Sequence, residues 1–249
     1  MNRLLGKVML ITESASAIGT ATAKLASKEG AIVICAVRNL NDIAPLISEI
    51  TQIGGTISAF QHDIGSIHSW RKLVTSTIKT YGKIDVLVNN AGISSPKLML
   101  DLTIEDWNKI QEIDLNSFTY SLKEVIPFMI NNNGGSIINV SSLEGLVELT
   151  DDNPYGAVKD VIRSLSLDAA FEYAKNNIRI NSICPGTIET PMIETSFPNI
   201  RPQYKKSVQF PYLGKPRDIA NSVIYLACDE ASFITGAKMV IDGDRVAIE

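Results

Sequence analysis

The sequence predicts an α/β fold in which helices cover both faces of one parallel sheet of about seven strands. Short apolar runs rich in β-branched residues alternate with amphipathic segments along all 249 residues. The runs are apolar at nearly every position, which is typical of strands that are buried on both faces. Right-handed crossovers between such strands give a doubly wound sheet. Because no linker, repeat or low-complexity stretch interrupts the alternation, residues 1–249 are predicted to form a single domain.

The individual elements follow in chain order. Strands are predicted at residues 7–12, 31–37, 56–60, 84–89, 136–141, 178–184 and 238–241. Helices are predicted between them at residues 18–28, 40–53, 67–80, 103–130, 155–174 and 217–227. Thr103 precedes two acidic residues and is a good N-cap for the fourth helix. The run Asn-Asn-Asn-Gly-Gly at 131–135 is expected to end that helix and turn the chain into the next strand.

The longest segment without a regular pattern is 186–214, which is predicted to be a lid over a substrate site. It carries several apolar and aromatic residues that would line a partly apolar pocket: Met192, Ile193, Phe197, Tyr204, Phe210 and Tyr212. A second wall is expected from residues 143–154, whose acidic side chains disfavour a strongly anionic substrate at the mouth. Lys205 and Lys206 add positive charge to the lid, so a carrier-bound acyl chain stays among the candidate substrates.

The composition argues against several classes of function. A net charge of −4 and a pI near 5.3 disfavour nucleic acid as a partner. No apolar run reaches the roughly 18 uncharged residues of a membrane span, and the first residues do not resemble a signal peptide. Cys35, Cys184 and Cys228 lie in apolar contexts, which predicts buried thiols in a reducing cytoplasm. His62 and His68 form no ligand cluster, so no metal site is expected.

The most informative chemical pattern is Tyr155 and Lys159 on one predicted helix, with Ser142 at the end of the preceding strand. Residues four apart share a helix face, so the ammonium is expected close to the Tyr155 hydroxyl. A nearby cation favours phenolate and lowers a tyrosine pKa that is normally about 10. Tyr155 is therefore a candidate general acid or base for C–OH/C=O interconversion, with Ser142 hydrogen-bonding the same oxygen. Alone, the helical pair fits a solvated face equally well.

Three further motifs accompany this set: Asn89-Asn90-Ala91-Gly92 after the fourth strand, Pro185-Gly186 after the sixth, and the ending Ile241-Asp242-Gly243. In this order and spacing, the chain resembles the classical short-chain dehydrogenase/reductases over essentially its whole length. The resemblance implies a Rossmann-like fold and an NAD(P)-dependent oxidoreductase acting on a small secondary alcohol or ketone, of 3-oxoacyl type or another carbonyl. It also implies that Ser142 orients the substrate oxygen and Tyr155 transfers the proton. Lys159 would lower the Tyr155 pKa and hold the nicotinamide ribose.

The resemblance further implies where the cofactor binds. Asp63 would contact the adenine ring and Asn90 its ribose, while Ile188 would approach the nicotinamide amide and Thr190 would help close the site. The complete set of expected cofactor-binding residues is Thr12, Ser14, Ala17, Ile18, Gly19, Arg38, Asp63, Asn90, Gly92, Tyr155, Lys159, Pro185, Gly186, Ile188 and Thr190.

The first strand-to-helix turn departs most from the family pattern T-G-x-x-x-G-I-G, because residues 12–19 read T-E-S-A-S-A-I-G. Glycines in such a turn permit positive φ and let backbone amides approach a pyrophosphate. Ala17 adds one methyl there, and Glu13 adds bulk and negative charge at the adenosine half. The following helix still offers its free amides and its dipole to a phosphate. Dinucleotide binding is expected to survive but to be weaker than in a typical member.

A second departure lies at Asp114, where the family usually has an asparagine that holds a helix kink and a water leading to the lysine. Asp114 is nearly isosteric and can keep that water. If it is ionised, it also stabilises the Lys159 ammonium and raises the Tyr155 pKa. The alternative is that Asp114 only packs, with its carboxylate hydrogen-bonded.

The residues after the second strand bear on the choice of cofactor. Val37 stands where an acid would bind the ribose hydroxyls of NAD, and Arg38 is placed to pair with the 2′-phosphate of NADP. Glu13 either repels that phosphate or pairs with Arg38. We expect NADP or NAD, with NADP preferred. The alternative is that Arg38 is an ordinary surface residue.

Two functional hypotheses remain open on the sequence. One is the oxidoreductase, and the other is a non-catalytic or cofactor-impaired binding protein on the same fold, prompted by the altered turn and Asp114. The resemblance also implies a homodimer or homotetramer formed through helices 103–130 and 155–174. The latter carries Val161, Leu165, Ala169 and Tyr173 on one face, a stripe that fits an interface or the intramolecular core.

Overall fold

The computed structural model describes residues 2–93, 97, 100–146, 153–191, 210 and 212–244. It contains seven strands: β1 (Val8–Thr12), β2 (Ile32–Val37), β3 (Thr56–Gln61), β4 (Val86–Asn89), β5 (Gly135–Val140), β6 (Ile178–Pro185) and β7 (Lys238–Ile241). They form one sheet in the order β3-β2-β1-β4-β5-β6-β7. Every neighbouring pair is parallel. The predicted parallel sheet of seven strands is confirmed.

Seven α-helices occur in the part of the chain that is described. They are α1 (Ala17–Lys28), α2 (Ala44–Gln52), α3 (Ile67–Tyr81), α4 (Ile104–Ile110), α5 (Ser117–Asn131), α6 (Asn153–Tyr173) and α7 (Pro216–Ala227). A 3₁₀ turn, Leu40–Ile43, leads into α2. None of these helices is long and apolar enough to cross a membrane.

Helices pack on both faces of the sheet, as the unbroken apolar strands predicted. Met9 and Ile11 of β1 point into the core cluster shared with α1, α2 and α7, while Val8 and Leu10 join the cluster shared with α3, α5 and α6. All five β1 residues are buried. A strand with two buried faces has no polar side to present, because alternate side chains meet opposite helix layers. All three cysteines are free and buried in this core, as expected.

The predicted single helix over 103–130 is wrong, because the structure divides it into α4, a π-helical turn at Gln111–Asn116, and α5. A π turn inserts one extra residue into the helical repeat and changes the face that its side chains present. Asp114 lies in this turn and its Oδ1 accepts a hydrogen bond from the Ile93 amide at 3.0 Å. That long-range contact leaves no mark on local helix propensity, so the amphipathic pattern alone did not reveal the break.

The ends of this broken helix follow the sequence signals. The Thr103 hydroxyl accepts the Asp106 amide at 3.1 Å, and the Asp106 carboxylate accepts the Thr103 amide in return at 3.1 Å. This reciprocal pair is a capping box. After α5, Asn133 and Gly134 adopt positive φ values of 60° and 134° and reverse the chain toward β5. The predicted N-cap and stop are both confirmed.

The strand order reverses between β1 and β4, which places a crevice at the carboxyl ends of these strands. In open parallel sheets, ligands bind at such a switch point. The first half of the sheet runs from β1 outward to β3, and the second half from β4 outward to β7. Most of the predicted lid (192–209 and 211) and most of the second wall (147–152) lie outside the described residues.

Candidate active site

The floor of the crevice is tied together by Thr12 at the end of β1. Its hydroxyl oxygen accepts the backbone amides of Asn90 and Ala91 at 3.0 and 3.2 Å, and donates to the Val88 carbonyl at 3.3 Å. The side chain is buried. One hydroxyl therefore fixes the chain leaving β4 against the end of β1, and sets the spacing of the two strand ends that flank the switch point.

The turn between β1 and α1 is held by Asn90. Its side-chain amide nitrogen lies 3.1 Å from the Thr12 carbonyl, 3.3 Å from the Glu13 carbonyl and 3.0 Å from the Ser16 hydroxyl. Ser16 also caps α1 by accepting the Gly19 amide at 3.1 Å. The resemblance assigned Asn90 to the adenine ribose, whereas in the structure its amide clamps the first turn.

Gly19 allows the turn to pack this closely. A Cβ at this position would lie 2.4 Å from the Glu13 carbonyl oxygen and 2.8 Å from the Ser14 Cα, which are backbone atoms that cannot move aside easily. The first amides of α1, at Ala17 and Ile18, have no intrahelical partners and carry the positive end of the helix dipole. This half of the turn therefore fits a pyrophosphate.

The adenosine end of the same turn is occupied by an ion pair. Glu13 has a left-handed backbone with φ 47°, a conformation that usually requires glycine. Its Oε1 lies 3.2 Å from Nε of Arg38, just beyond β2. Of the two outcomes left open by the sequence, the structure shows the one in which Glu13 pairs with Arg38. The turn therefore offers free amides to a pyrophosphate and carries an ion pair where the resemblance expects the adenosine half of the cofactor.

The predicted catalytic set converges at the end of β5 and the start of α6. Ser142 and Tyr155 are both half-buried, and the Ser142 side chain lies close enough to Tyr155 to lower its pKa. Nζ of Lys159, one helical turn beyond Tyr155, lies 5.2 Å from the centre of the tyrosine ring. The Ser141 hydroxyl donates to the Lys159 carbonyl at 3.0 Å, which ties β5 to this turn of α6. The structure therefore brings Ser142, Tyr155 and Lys159 together.

Lys159 is paired with Asp114 in the interior. Nζ lies 3.1 Å from Asp114 Oδ2, and the side chains are 3% and 0% exposed. Nζ also approaches the Ala91 carbonyl at 3.5 Å. A Cβ on Gly92 would lie 2.6 Å from Nζ and 3.1 Å from Oδ2, so only glycine leaves room for the pair. The absence of a side chain at Gly92 therefore leaves the room in which Lys159 and Asp114 pair.

Burial raises the pKa of Tyr155 to about 12, and the charges of Glu144 and Asp114 add to this effect against the lowering influences of Lys159 and Ser142. Burial lowers the pKa of Lys159, but the Asp114 carboxylate and Tyr155 outweigh it and raise that pKa above its ordinary value. Lys159 lowers the Tyr155 pKa, as its spacing predicted, but burial and the two carboxylates outweigh it, so the pKa is raised rather than lowered.

Beneath Lys159 lies a small, partly polar pocket that reaches into the protein. Asp114, Lys159, Asn89 and Asn139 contribute polar groups to its lining. Asn89 donates to Asn139 at 2.9 Å, and Asn139 donates to the Ser166 hydroxyl at 2.8 Å. This ladder links β4, β5 and α6 below the site and holds the strand ends in register.

The remaining expected cofactor residues are spread along the strand ends. Asp63 is exposed beyond β3 and its carboxylate accepts the Gly65 amide at 3.0 Å. Beyond β6, Gly186 donates to the Ile241 carbonyl at 2.9 Å, which joins two of the motifs recognised in the sequence. Ile188 is buried and bridged to Gly214, whereas Thr190 is half-buried.

Comparison with known proteins identifies the relatives of this chain. A family model described as Enoyl-(Acyl carrier protein) reductase matches residues 13–243. The chain is 36% identical over 242 residues to a 2,5-dichloro-2,5-cyclohexadiene-1,4-diol dehydrogenase of Sphingobium indicum, covering 97% of each protein. It is also 36% identical over 244 residues to a 3-oxoacyl-[acyl-carrier-protein] reductase of Thermotoga maritima, covering 98% of this chain and 99% of that protein. This chain belongs to the short-chain dehydrogenase/reductase family.

A solved structure agrees with this assignment. A short-chain type dehydrogenase/reductase from Mycobacterium marinum superposes with a TM-score of 0.94 at 28% identity, covering 97% of this chain and 96% of that one. As a member of the short-chain dehydrogenase/reductase family whose relatives are named as dehydrogenases and reductases, the protein is an oxidoreductase. The comparisons favour this function over the non-catalytic binding protein.

Sequence reasoning missed two residues that shape this short-chain dehydrogenase/reductase site. Ser16 was not singled out, although a serine just before an amphipathic helix is a recognisable N-cap signal. Glu144 was assigned only to the pocket wall, yet its charge raises the pKa of Tyr155. Its position two residues after Ser142 was the available signal, but its proximity to Tyr155 depends on how the 3₁₀ turn Leu143–Gly145 packs against α6.

Proposed function

We propose that the protein interconverts a secondary alcohol and a ketone with NADP or NAD, and that Tyr155 is the general acid and base. One arrangement carries the proposal: Tyr155 interacts with Ser142 and lies beside the Lys159 ammonium, at the carboxyl edge of the sheet. A buried lysine beside half-buried tyrosine and serine side chains has no packing reason to occur here, since each polar group is costly to desolvate alone.

The protein side of the chemistry follows from the geometry. When bound, the nicotinamide cofactor supplies or accepts the hydride. Because its pKa is about 12, Tyr155 is protonated at neutral pH and donates its proton to the substrate oxygen as a carbonyl is reduced. Ser142 hydrogen-bonds the same oxygen and stabilises its developing negative charge. Lys159 stays an ammonium and stabilises the phenolate that Tyr155 becomes, so alcohol oxidation requires that phenolate to form first.

Binding of the dinucleotide would use the residues already placed at the strand ends. The amides of Ala17 and Ile18 face a pyrophosphate, with Gly19 allowing the close turn, and Arg38 is the cation available for a 2′-phosphate. Val37 offers no carboxylate to a ribose diol. We therefore propose NADP as the preferred cofactor and NAD as the second.

The substrate class rests on the described residues of the predicted lid segment and on the named relatives. Phe210 and Tyr212 stack with ring centres 5.6 Å apart and are exposed, so they are available to an apolar substrate. The substrates named for the two relatives are a cyclic diol and a carrier-bound 3-oxoacyl chain. We propose a small carbonyl compound of 3-oxoacyl or cyclic type, handled in the cytoplasm.

We also propose a homodimer or homotetramer that uses α6. The predicted stripe on this helix divides: Ala169 and Tyr173 pack in the core, while Val161 and Leu165 are 42% and 38% exposed. Leu167 and Phe171 on the same helix are 54% and 89% exposed. Exposed apolar area of this kind favours burial against another subunit. A purely monomeric sedimentation profile would remove this proposal and leave the chemistry untouched.

The proposed reaction is tested with the Tyr155→Phe variant. NADPH oxidation is followed with a 3-oxoacyl thioester and a cyclic ketone, and NADPH affinity is measured by nicotinamide fluorescence. We expect turnover to fall by about 100-fold or more while the dissociation constant changes less than about twofold. Tyr173→Phe, at the far end of the same helix, is the matched control and should retain turnover. Undiminished turnover in Tyr155→Phe contradicts the assigned role.

A further inference from the structure

The Glu13–Arg38 ion pair is an unusual feature of the β1–α1 turn. The pair joins two neighbouring strand ends, since β1 and β2 are in register and the Ser14 amide reaches the Ala36 carbonyl at 3.4 Å. The Glu13 side chain is 21% exposed and that of Arg38 is 77% exposed. The carboxylate is thus the sheltered member of the pair, and the guanidinium is the member open to a ligand.

The backbone of Glu13 is held in place by contacts within the turn. Its carbonyl accepts the Ser16 amide at 2.9 Å, and the Asn90 side chain approaches the same carbonyl at 3.3 Å. The positive φ of 47° is strained for a residue with a side chain, yet these contacts hold it. Glu13 therefore cannot swing away from Arg38 by a backbone change without loosening the turn.

The position of the pair matches the place where such sheets distinguish the two dinucleotides. A carboxylate beside the end of the second strand binds the ribose hydroxyls of NAD, whereas an arginine there accommodates the 2′-phosphate of NADP. In this chain Val37 occupies the usual acid position, and the carboxylate comes from the neighbouring turn instead. Both recognition groups are present, and in the free protein they neutralise each other.

We propose that Glu13 is an internal competitor for Arg38 that reduces the discrimination between NADP and NAD, an inference that rests on the proposed dinucleotide-dependent function. Arg38 must release Glu13 before it can pair with a 2′-phosphate, and the released carboxylate then lies beside a dianion. A ribose 2′-hydroxyl imposes neither cost, because it can donate a hydrogen bond to the carboxylate while the ion pair persists. Only the binding of NADP is weakened, so the affinities for NADP and NAD are more similar than they would be with Arg38 alone.

The proposal is tested by measuring dissociation constants for NADPH and NADH at one ionic strength. The proteins are the wild type, Glu13→Gln, Arg38→Gln and the double variant. Glu13→Gln removes the ion pair with Arg38 and the repulsion between the carboxylate and the 2′-phosphate. We therefore expect this variant to bind NADPH about three- to tenfold more tightly, with the affinity for NADH changed less than about twofold. In the Arg38→Gln background the same change should give a clearly smaller gain, because the two residues are coupled.

The outcomes separate this inference from the proposed function. The competitor role would be overturned if Glu13→Gln changed the dissociation constants of NADPH and NADH equally or not at all. It would also be overturned if the gain in NADPH affinity were undiminished in the Arg38→Gln background. Dinucleotide binding would remain established in each case. Absence of binding of either cofactor to the wild type and to Glu13→Gly, up to millimolar concentration, would remove both. Glu13→Gly also guards against misfolding of the glutamine variant, because glycine accepts positive φ without strain and must show the same selective gain for NADPH.

Discussion

Asp114 and Lys159 form an ion pair that is shut off from solvent, with 3.1 Å between Oδ2 and Nζ and exposed fractions of 0% and 3%. The pair lies one helical turn below the proposed acid and base, Tyr155. In a buried setting, a carboxylate at this distance holds a lysine in its ammonium form and disfavours a nearby phenolate. An aspartate at this position therefore adds a negative charge to the site that an asparagine would not.

The first prediction concerns the pH dependence of alcohol oxidation. The Asp114 charge raises the pKa of Tyr155, so Asp114→Asn should lower that pKa and let the phenolate form at lower pH. Oxidation requires the phenolate, and the rising limb of kcat/KM against pH should move toward lower pH. Asp160→Asn is the matched control, since Asp160 is the residue after Lys159 but is exposed and paired with Arg163. An unmoved limb in Asp114→Asn contradicts the electrostatic role.

The second prediction concerns Gly92, which lies next to the Asp114–Lys159 ion pair. Gly92→Ala places a methyl 2.6 Å from Lys159 Nζ, so Lys159 must shift away from Asp114 or Tyr155. We expect kcat to fall by about tenfold or more, since displacing a catalytic group by a fraction of an ångström is costly. Gly65→Ala is the control, because its nearest added contact is an ordinary 3.5 Å to the Asp63 carboxylate. Equal activity in both variants would show that the site tolerates the displacement.

The third prediction separates two roles of Ser16. Ser16→Ala removes the cap that accepts the Gly19 amide and also the partner of the Asn90 side chain. Ser66→Ala removes a similar cap on α3, where Ser66 accepts the Ser69 amide at 3.3 Å. Each should cost about 1 kcal/mol of unfolding free energy in urea. Only Ser16→Ala should also weaken NADPH binding, because it loosens the β1–α1 turn, and equal affinities in both variants would contradict this.

The fourth prediction concerns His62, which is 2% exposed and stacked edge-on against Trp70 with ring centres 4.5 Å apart. Burial lowers the pKa of His62 to about 4. The unfolded chain binds this proton near pH 6.5 and the folded protein only near pH 4, so stability is lost as the pH falls through this interval. The loss from this group should approach about 3 kcal/mol.

The measurement is the unfolding free energy in urea at pH values from 7.5 to 4.5. His62→Asn, which keeps a hydrogen-bonding group near Ser69, should show a flatter pH dependence than the wild type over this interval. His68→Asn changes the exposed histidine and should follow the wild-type curve. If His62→Asn also follows the wild-type curve, the pKa of His62 is not lowered by folding, and the prediction is wrong.

Much of the fold was predictable because its determinants are local. Runs such as Ile32–Val37 are buried on both faces, so every residue carries the apolar signal. The Thr103 cap and the turn at Asn133 and Gly134 follow from side chains that bond to nearby backbone or permit positive φ. The break at Gln111–Asn116 was not predictable in this way, because no local signal marks it; its Asp114 instead contacts the chain leaving β4.

The residues of the site were predictable, but their electrostatics were not. A one-turn helical spacing put Tyr155 and Lys159 on one face, and motif order put Ser142 beside them. The pKa of Tyr155 instead depends on burial and on carboxylates from two other segments, at Glu144 and Asp114. Similarly, the sequence placed Glu13 and Arg38 near the adenosine end, and only the packed strand ends showed which of the two possible interactions they make.

The sequence by itself determined the strand and helix order, the family pattern and the three candidate catalytic side chains, because periodicity and motif spacing are properties of the linear chain. The tertiary structure decided the π turn, the Asp114–Lys159 pair, the high pKa of Tyr155 and the pairing of Glu13 with Arg38. Each of these arises between segments far apart in the chain, where desolvation and charge separation depend on distances that no local pattern encodes.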